Sequence, residues 1–373
     1  MTSSIKTASV IDVHAHVVLK ETMGAAGDLG PEMGGQDSDK PWFRVGGYRL
    51  DGVRYQGSPF MDVELRLKRM DEAGIEFQVL SPYPLTFLHF IEDHSAAEFC
   101  RVHNNALAEL VASYPDRLAG FAALPAQSPD HATAELERAV AELGLLGGYI
   151  GTDIPHRLDD AVMDPLYEAH VRLDVPLFLH PSPAGIDGPP GDPNLKDYDL
   201  DVVVGFAAQE TLAVSRLIYG GVLDRHPDLD ICLSHGGGST GYLFGRMAMA
   251  ARKRPWSPAH LRADGAFEER LSRLWFDSHL NNDNALALFE NLVGDNRLVF
   301  GTNFAGWDAP EDLASHRPPP KLADNARRLA GDLGLDHVGR FHPRDLHLDV
   351  ELELDIGDAG LQDGGVIALV ELV

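Results

Sequence analysis

Cysteine is nearly absent from this chain: Cys100 and Cys232 are the only two in 373 residues. Two thiols without metal-site spacing exclude a disulfide framework and a cysteine-based metal site, and both are read as buried and unreactive. Long apolar runs are also missing. No segment approaches the roughly 18 uncharged apolar residues of a membrane span. The N-terminal MTSSIKTASV has no apolar signal core, so a cytoplasmic location without membrane contact is expected. Basic charge is scarce as well, with 31 Lys and Arg against 57 Asp and Glu for a formal charge of −26. Such a surface repels nucleic-acid phosphates and anionic bilayers, which removes polyanionic partners. A small anionic substrate would need local arginines.

Hydrophobic residues make up 44% and charged residues 24%, enough to bury a large core in a soluble chain. Short apolar or β-branched runs alternate with amphipathic stretches throughout, the pattern of parallel βα units. Strands are expected at 9–14, 75–81, 118–124, 148–152, 176–180, 229–235, 274–278 and 298–302. Helices are expected at 62–73, 95–113, 129–143, 164–173, 205–219, 241–251, 284–292 and 321–333. Eight repeats predict an α/β fold, a (β/α)8 TIM barrel spanning 1–335. Three regions fall outside the repeat. Residues 19–60, glycine-rich with Trp42, Phe43, Tyr48 and Tyr55, form an insertion after strand 1 on the mouth side, read as a lid or small subdomain. Residues 182–201 form a second long mouth loop. Residues 336–373 form a C-terminal extension, in which strict alternation from 345 predicts a β-hairpin that packs on the barrel or on another subunit.

Ile11-Asp12-Val13-His14-Ala15-His16 ends the first apolar run with two histidines two apart. Side chains alternate along a strand, so His14 and His16 share a face, with Asp12 one step deeper. Two neutral imidazoles on one face are half of a metal site. In a barrel the other half comes from the C-terminal ends of other strands. His180 ends the fifth, His235 the sixth and Asn303 the eighth, so all converge on one mouth.

With these motifs placed, the chain resembles the amidohydrolase superfamily over roughly residues 9–330, in the group that holds aminocarboxymuconate-semialdehyde decarboxylase and related non-oxidative decarboxylases. The resemblance rests on Asp12-Val13-His14-Ala15-His16, Arg69-Met70-Asp71 with Gln78-Val79-Leu80-Ser81, Asn104-Asn105, Tyr114-Pro115 and Leu124-Pro125. It continues through Phe178-Leu179-His180-Pro181, Ser234-His235-Gly236-Gly237-Gly238 with Gly245-Arg246, and Phe300-Gly301-Thr302. It implies one divalent metal ion held by His14, His16 and His180, with a strand-eight residue, here Asn303, as the fourth protein contact. Zinc is the first expectation, with iron or manganese as alternatives. It also implies His235 beside the metal-bound water as proton donor or base, and Arg246 gripping a substrate carboxylate, with Arg54 near the place of a second arginine.

Position 303 departs from the family pattern, which has aspartate after Gly-Thr. An amide oxygen is neutral and cannot take a proton, so the usual base is missing and the site carries one more unit of positive charge. Asp308 and Asp277 lie nearby in sequence, but surface or structural roles are expected for them. Three readings follow. The first is a metal-dependent lyase or hydrolase acting on a small carboxylate. The second is a subunit of a metal-dependent hydroxylase, similar to the bacterial 2-aminoisobutyrate hydroxylase system. The third is a metal-holding supporting subunit without catalysis. Assembly as a homo- or hetero-oligomer with related barrels is expected in each. Gly237-Gly238-Ser239-Thr240-Gly241 matches a serine-hydrolase G-x-S-x-G, but its serine lies four residues past the strand end and is read as a helix cap. His89, His94, His103, His131 and His170 are read as solvated.

Overall fold

The computed structural model describes residues 5–187, 192–310 and 317–330. Strand β1 (Ile11–Val17) is followed by three short strands, β2 (Glu32–Gly34), β3 (Trp42–Val45) and β4 (Tyr48–Asp51), and then by the parallel series. That series is β5 (Phe77–Pro82), β6 (Leu118–Gly120), β7 (Ala122–Ala123), β8 (Gly148–Gly151), β9 (Leu177–His180), β10 (Ile231–Leu233), β11 (Trp275–Asp277) and β12 (Leu298–Val299). The ladder runs β1-β5-β6 and then β7 to β12 in chain order. The expected third strand, 118–124, is broken at Phe121 into β6 and β7. Phe121 N donates to Leu80 O at 2.9 Å, and Val13 N donates to Phe300 O at 2.9 Å, which joins the last strand to the first. The circle is a parallel α/β barrel.

Strands β8, β10, β11 and β12 end one to three residues before their expected C-termini, where the backbone leaves the ladder to present side chains, whereas β1 and β5 run past theirs. Thr302 N, for example, donates to the side-chain Oδ1 of Asp12 at 3.1 Å instead of to a backbone carbonyl of β1. Helices α1 (Val63–Ala73), α2 (Asp93–Ser113), α3 (Pro129–Ala141), α4 (Asp164–Leu173), α5 (Leu200–Val203), α6 (Gly205–Tyr219) and α7 (Val222–Arg225) lie between the strands. They are followed by α8 (Thr240–Lys253), α9 (Ala266–Leu271), α10 (Asp283–Val293) and α11 (Pro320–Leu329). Helix α1 starts where Asp62 accepts Leu65 N and stops at Gly74 with φ +70°, as its capping residues dictate. Leu200–Tyr219 is long and apolar enough, by length and composition, to cross a membrane. The sequence reading found no such segment. In this fold α6 buries Ala213, Val214, Leu217 and Ile218 and aims Glu210 at the barrel mouth.

Phe77, Val79, Phe121, Tyr149, Phe178, Cys232, Trp275 and Val299 form one buried cluster with Ile11 and Val13 of β1. A second, larger cluster includes Leu80, Leu177, Leu179 and Leu233 with helix residues such as Leu136, Leu166 and Leu217. The register of β1 on β5 shifts between Asp12 and Ala15. Such a bulge breaks strict alternation and re-aims the following side chains. Asp12 therefore does not follow the face of His14 and His16 as simple alternation predicts. Its Oδ2 accepts from Gln78 Nε2 at 2.9 Å and Thr302 Oγ1 at 2.8 Å, and Gln78 Oε1 in turn accepts from the buried Arg66 of α1 at 2.9 Å. Burial pushes the Asp12 carboxyl up to about 6 against these hydrogen bonds.

In the insertion, β2, β3 and β4 form an antiparallel sheet, and Phe43, Tyr55 and Phe60 pack edge-to-face on one another and on Tyr83 beyond β5, with centroids 5.0 to 5.8 Å apart. Tyr83 in turn lies 6.3 Å from the His16 ring, so the insertion packs against the barrel mouth. The hairpin expected from 345 onward, and the whole of 336–373, lie outside the described residues, as does the end of the helix expected at 321–333. Both cysteines are buried and free.

Candidate metal centre

His14 and His16 from β1 and His180 from the end of β9 meet in the barrel mouth, all at most 2% exposed. His14 Nε2 lies 3.2 Å from His16 Nε2, which lies 3.3 Å from His180 Nε2. Each ring's other nitrogen faces an acceptor: Asp277 Oδ2 at 2.6 Å for His14, Pro82 O at 3.0 Å for His16 and Pro181 O at 2.6 Å for His180. Backbone carbonyls and an ionised carboxylate only accept, so each Nδ1 carries the ring's proton. Burial, together with repulsion from neighbouring histidines, holds all three rings well below their usual pKa and therefore neutral. Three unprotonated Nε2 lone pairs then face one another with no hydrogen between them. A cation resolves that conflict, and nitrogens about 2.1 Å from one ion keep separations of this size. The donor set fits a divalent metal.

Asp277 is buried, so the surface or structural role expected for it gives way to a role at the site. It orients His14, while its Oδ1 accepts from the backbone N–H groups of Gly236 and His279. Replacing it with asparagine is expected to weaken metal binding by about 10–100-fold, because the ring loses the anion that fixes its tautomer. Titrating Mn2+ or Zn2+ into metal-free Asp277→Asn protein measures this, and unchanged affinity would refute the orienting role.

His235 stands at the end of β10, its ring 5.0 Å from those of His14 and His180. Its Nδ1 pairs with Glu210 Oε1 at 2.8 Å, and the same oxygen accepts from Ser234 Oγ. Burial works against the imidazolium, but Glu210 outweighs it and raises His235 to about 9. The His235 backbone has φ +45° and Asn303 has φ +46°, left-handed conformations that cost non-glycine residues of order 1–3 kcal/mol and gather at working sites. Gly238, at φ +65°, is required by close approach: a Cβ there would lie 2.2 Å from Ala207 O.

Beside this lies a second group, His235, His279 and Asp308, which could also hold an ion by proximity. Its Asp308 oxygens are already engaged by His279 Nε2 at 3.1 Å and Asn303 Nδ2 at 2.6 Å. Hydrogen bonds satisfy both Asp308 oxygens, whereas the Nε2 atoms of the first triad meet without a hydrogen among them.

The other sequence-predicted residues fall as follows. Asn303 sits in the mouth, but its amide nitrogen bonds Asp308, and its Oδ1 is buried without a partner among the described residues. Arg54 is exposed and donates to Ser38 O at 2.5 Å, and Arg246 is exposed on α8; neither is hydrogen-bonded to the histidines. Ser239 takes the cap position of α8 without making the expected side-chain cap bond. His94 and His131 are exposed as expected, whereas His89, His103 and His170 are buried, at 7%, 2% and 0% exposure. Gly151 N donates to His89 Nε2, and His170 Nδ1 donates to Leu166 O, so local hydrogen bonds replace the expected solvent. Glu210 and His279 escaped the sequence reading. Glu210 is the one acid in the Gly205–Tyr219 segment. Asp277-Ser278-His279 repeats the spacing of Asp12-Val13-His14 at another strand end.

Comparison with known proteins agrees with this fold. The amidohydrolase family profile matches residues 11–332. A 2-amino-3-carboxymuconate-6-semialdehyde decarboxylase of Dictyostelium discoideum is 29% identical over 301 residues, covering 79% of this chain and 81% of its own. A gamma-resorcylate decarboxylase of Rhizobium sp. (strain MTP-10005) is 31% identical over 287 residues, covering 71% and 86%. The dihydroxybenzoic acid decarboxylase structure from Polaromonas sp. JS666, with bound manganese and 2-nitroresorcinol, superimposes with a TM-score of 0.64 at 23% identity, covering 93% of this chain and 100% of its own. A barrel of this topology with its histidine triad, matched across residues 11–332, belongs to the amidohydrolase family.

Proposed function

We propose that this protein is a metal-dependent decarboxylase of a small, ring-bearing carboxylate. The observation that carries the reading is the trio of unprotonated Nε2 atoms of His14, His16 and His180 beside the His235–Glu210 pair. The bound ion would supply Lewis acidity that holds and polarises the substrate. Manganese, present in the Polaromonas neighbour, stands beside zinc as the resident ion. His235, kept protonated by Glu210, would deliver a proton from Nε2 to the carbon that loses its carboxyl group: the C–COO⁻ bond breaks, CO2 departs, and the electron pair left on carbon takes that proton. Glu210 holds the ring through Nδ1, so Nε2 is the atom that exchanges.

Phe87 lies 6.3 Å from the His180 ring and stacks on His89 at 5.6 Å, next to a mouth cavity of about 160 Å³ bounded by Asp153, Ser182 and Ile186. Its aromatic wall suits the flat body of the substrate. Arg246 and Arg54 remain candidates for the substrate carboxylate, and their exposure means that reaching it would need rearrangement or a neighbouring chain. The decarboxylase names of the relatives give the hydroxylase and supporting-subunit readings no support.

The test is CO2 release from 2,6-dihydroxybenzoate and related aromatic acids by protein loaded with Mn2+ or Zn2+. Metal-dependent release supports the proposal. A fully loaded protein that releases none from a broad panel contradicts it.

A further inference from the structure

The missing strand-eight acid leaves a question that the loop after β12 answers. Asn303 Nδ2 donates to Asp308 Oδ1 at 2.6 Å, five residues on, and the intervening chain folds back on itself with Gly306 N donating to Asn303 O at 2.7 Å. The turn needs a glycine there, because a Cβ on Gly306 would lie 2.6 Å from the Asn303 amide nitrogen. His279, from beyond β11, donates to the other Asp308 oxygen, and Asn281 Nδ2 donates to the Asp308 backbone carbonyl at 2.8 Å. The loops after two strands, β11 and β12, thus converge on one carboxylate, whose side chain is only 18% exposed. The His279 ring that grips it lies 5.8 Å from His14 and 5.6 Å from His235.

We propose that Asp308 supplies the negative charge that position 303 lacks, and that Asn303 serves as the arm that holds this carboxylate against the histidine site. An amide that gives its nitrogen to Asp308 has its orientation fixed, with oxygen turned the other way. That oxygen is buried and has no partner among the described residues, as an acceptor kept for a cation or a proton donor would be. Acid and amide together then do what one aspartate does elsewhere in the fold: one carries the charge, the other presents an oxygen. Asp308 is a positioning and charge-supplying residue in this account, and the assignment rests on the metal-centre reading above.

Mn2+ titration into metal-free protein, with CO2 release measured alongside, tests it on Asp308→Asn, Asn303→Asp and the double variant. Asp308→Asn keeps the shape and is expected to bind Mn2+ at least tenfold more weakly and to lose CO2 release. Moving the acid to 303 in the double variant is expected to recover most of the affinity, which a merely structural loop anchor would not allow. Wild-type affinity in Asp308→Asn overturns the proposal. So does a double variant that melts like wild type yet fails to regain Mn2+. The Mn2+ readout decides between these outcomes even if wild type releases no CO2, a result that would count against the decarboxylase reading alone.

Discussion

Replacing His235 with asparagine is expected to lower kcat by about 10²–10⁴-fold, the usual contribution of a positioned proton donor, while the protein keeps its metal. Asparagine can still donate to Glu210, so the carboxylate keeps a partner and the fold is spared, but no side-chain atom can then exchange a proton. The same pair sets the pH dependence. Glu210 raises His235 to about 9 against the burial that opposes it, so the imidazolium is the working form and kcat falls as pH rises through its pKa. A divalent ion among the neighbouring histidines repels the imidazolium and brings that limb below 9. For stability the sign is the same. A folded pKa above the ordinary 6.5 contributes stability that is complete below 6.5 and lost as pH rises through about 9 in metal-free protein. Steady-state kinetics across pH, with bound metal assayed on the same samples, checks both. A His235→Asn protein with wild-type kcat would remove His235 from the chemistry.

His180→Ala is expected to abolish both metal retention and activity. It deletes one of three converging Nε2 donors, so affinity should fall by more than the roughly 10–100-fold that loss of an outer hydrogen-bond partner costs. Stability offers an independent readout. An ion present at 100 times its Kd adds about 2.7 kcal/mol to the native state, so wild type should melt higher with added Mn2+ or Zn2+. The variant should show no such rise. A metal-dependent rise equal to that of wild type would mean that His180 is not a ligand.

Much of the centre was readable because strand ends in a barrel share one mouth: His14, His16, His180 and His235 were placed by position alone, and their rings lie together. The partners that make them work were harder to see. Asp277 reaches His14 across 263 positions, and the Pro82 and Pro181 carbonyls belong to the backbone, which carries no sequence mark. Asp12 was misplaced because a bulge in β1 interrupts the alternation on which the reading depended. His103 and His170 defy the reading because helical periodicity does not tell a polar face from a buried one whose imidazole finds a local partner, and His89, in the turn before α2, is buried because its Nε2 accepts from Gly151 N. Asn303 was the informative exception. Its identity announced a missing acid, but only the folded loop shows Asp308 lying against it.

The most direct test is to strip the protein of metal with a chelator, confirm that it remains folded, and return Mn2+ or Zn2+ while following CO2 release from a small aromatic carboxylate. The account predicts no release from stripped protein and recovery that saturates at one equivalent of ion per chain. Undiminished release from the stripped protein, or recovery that proceeds equally well in a chain lacking His14, His16 and His180, would contradict it.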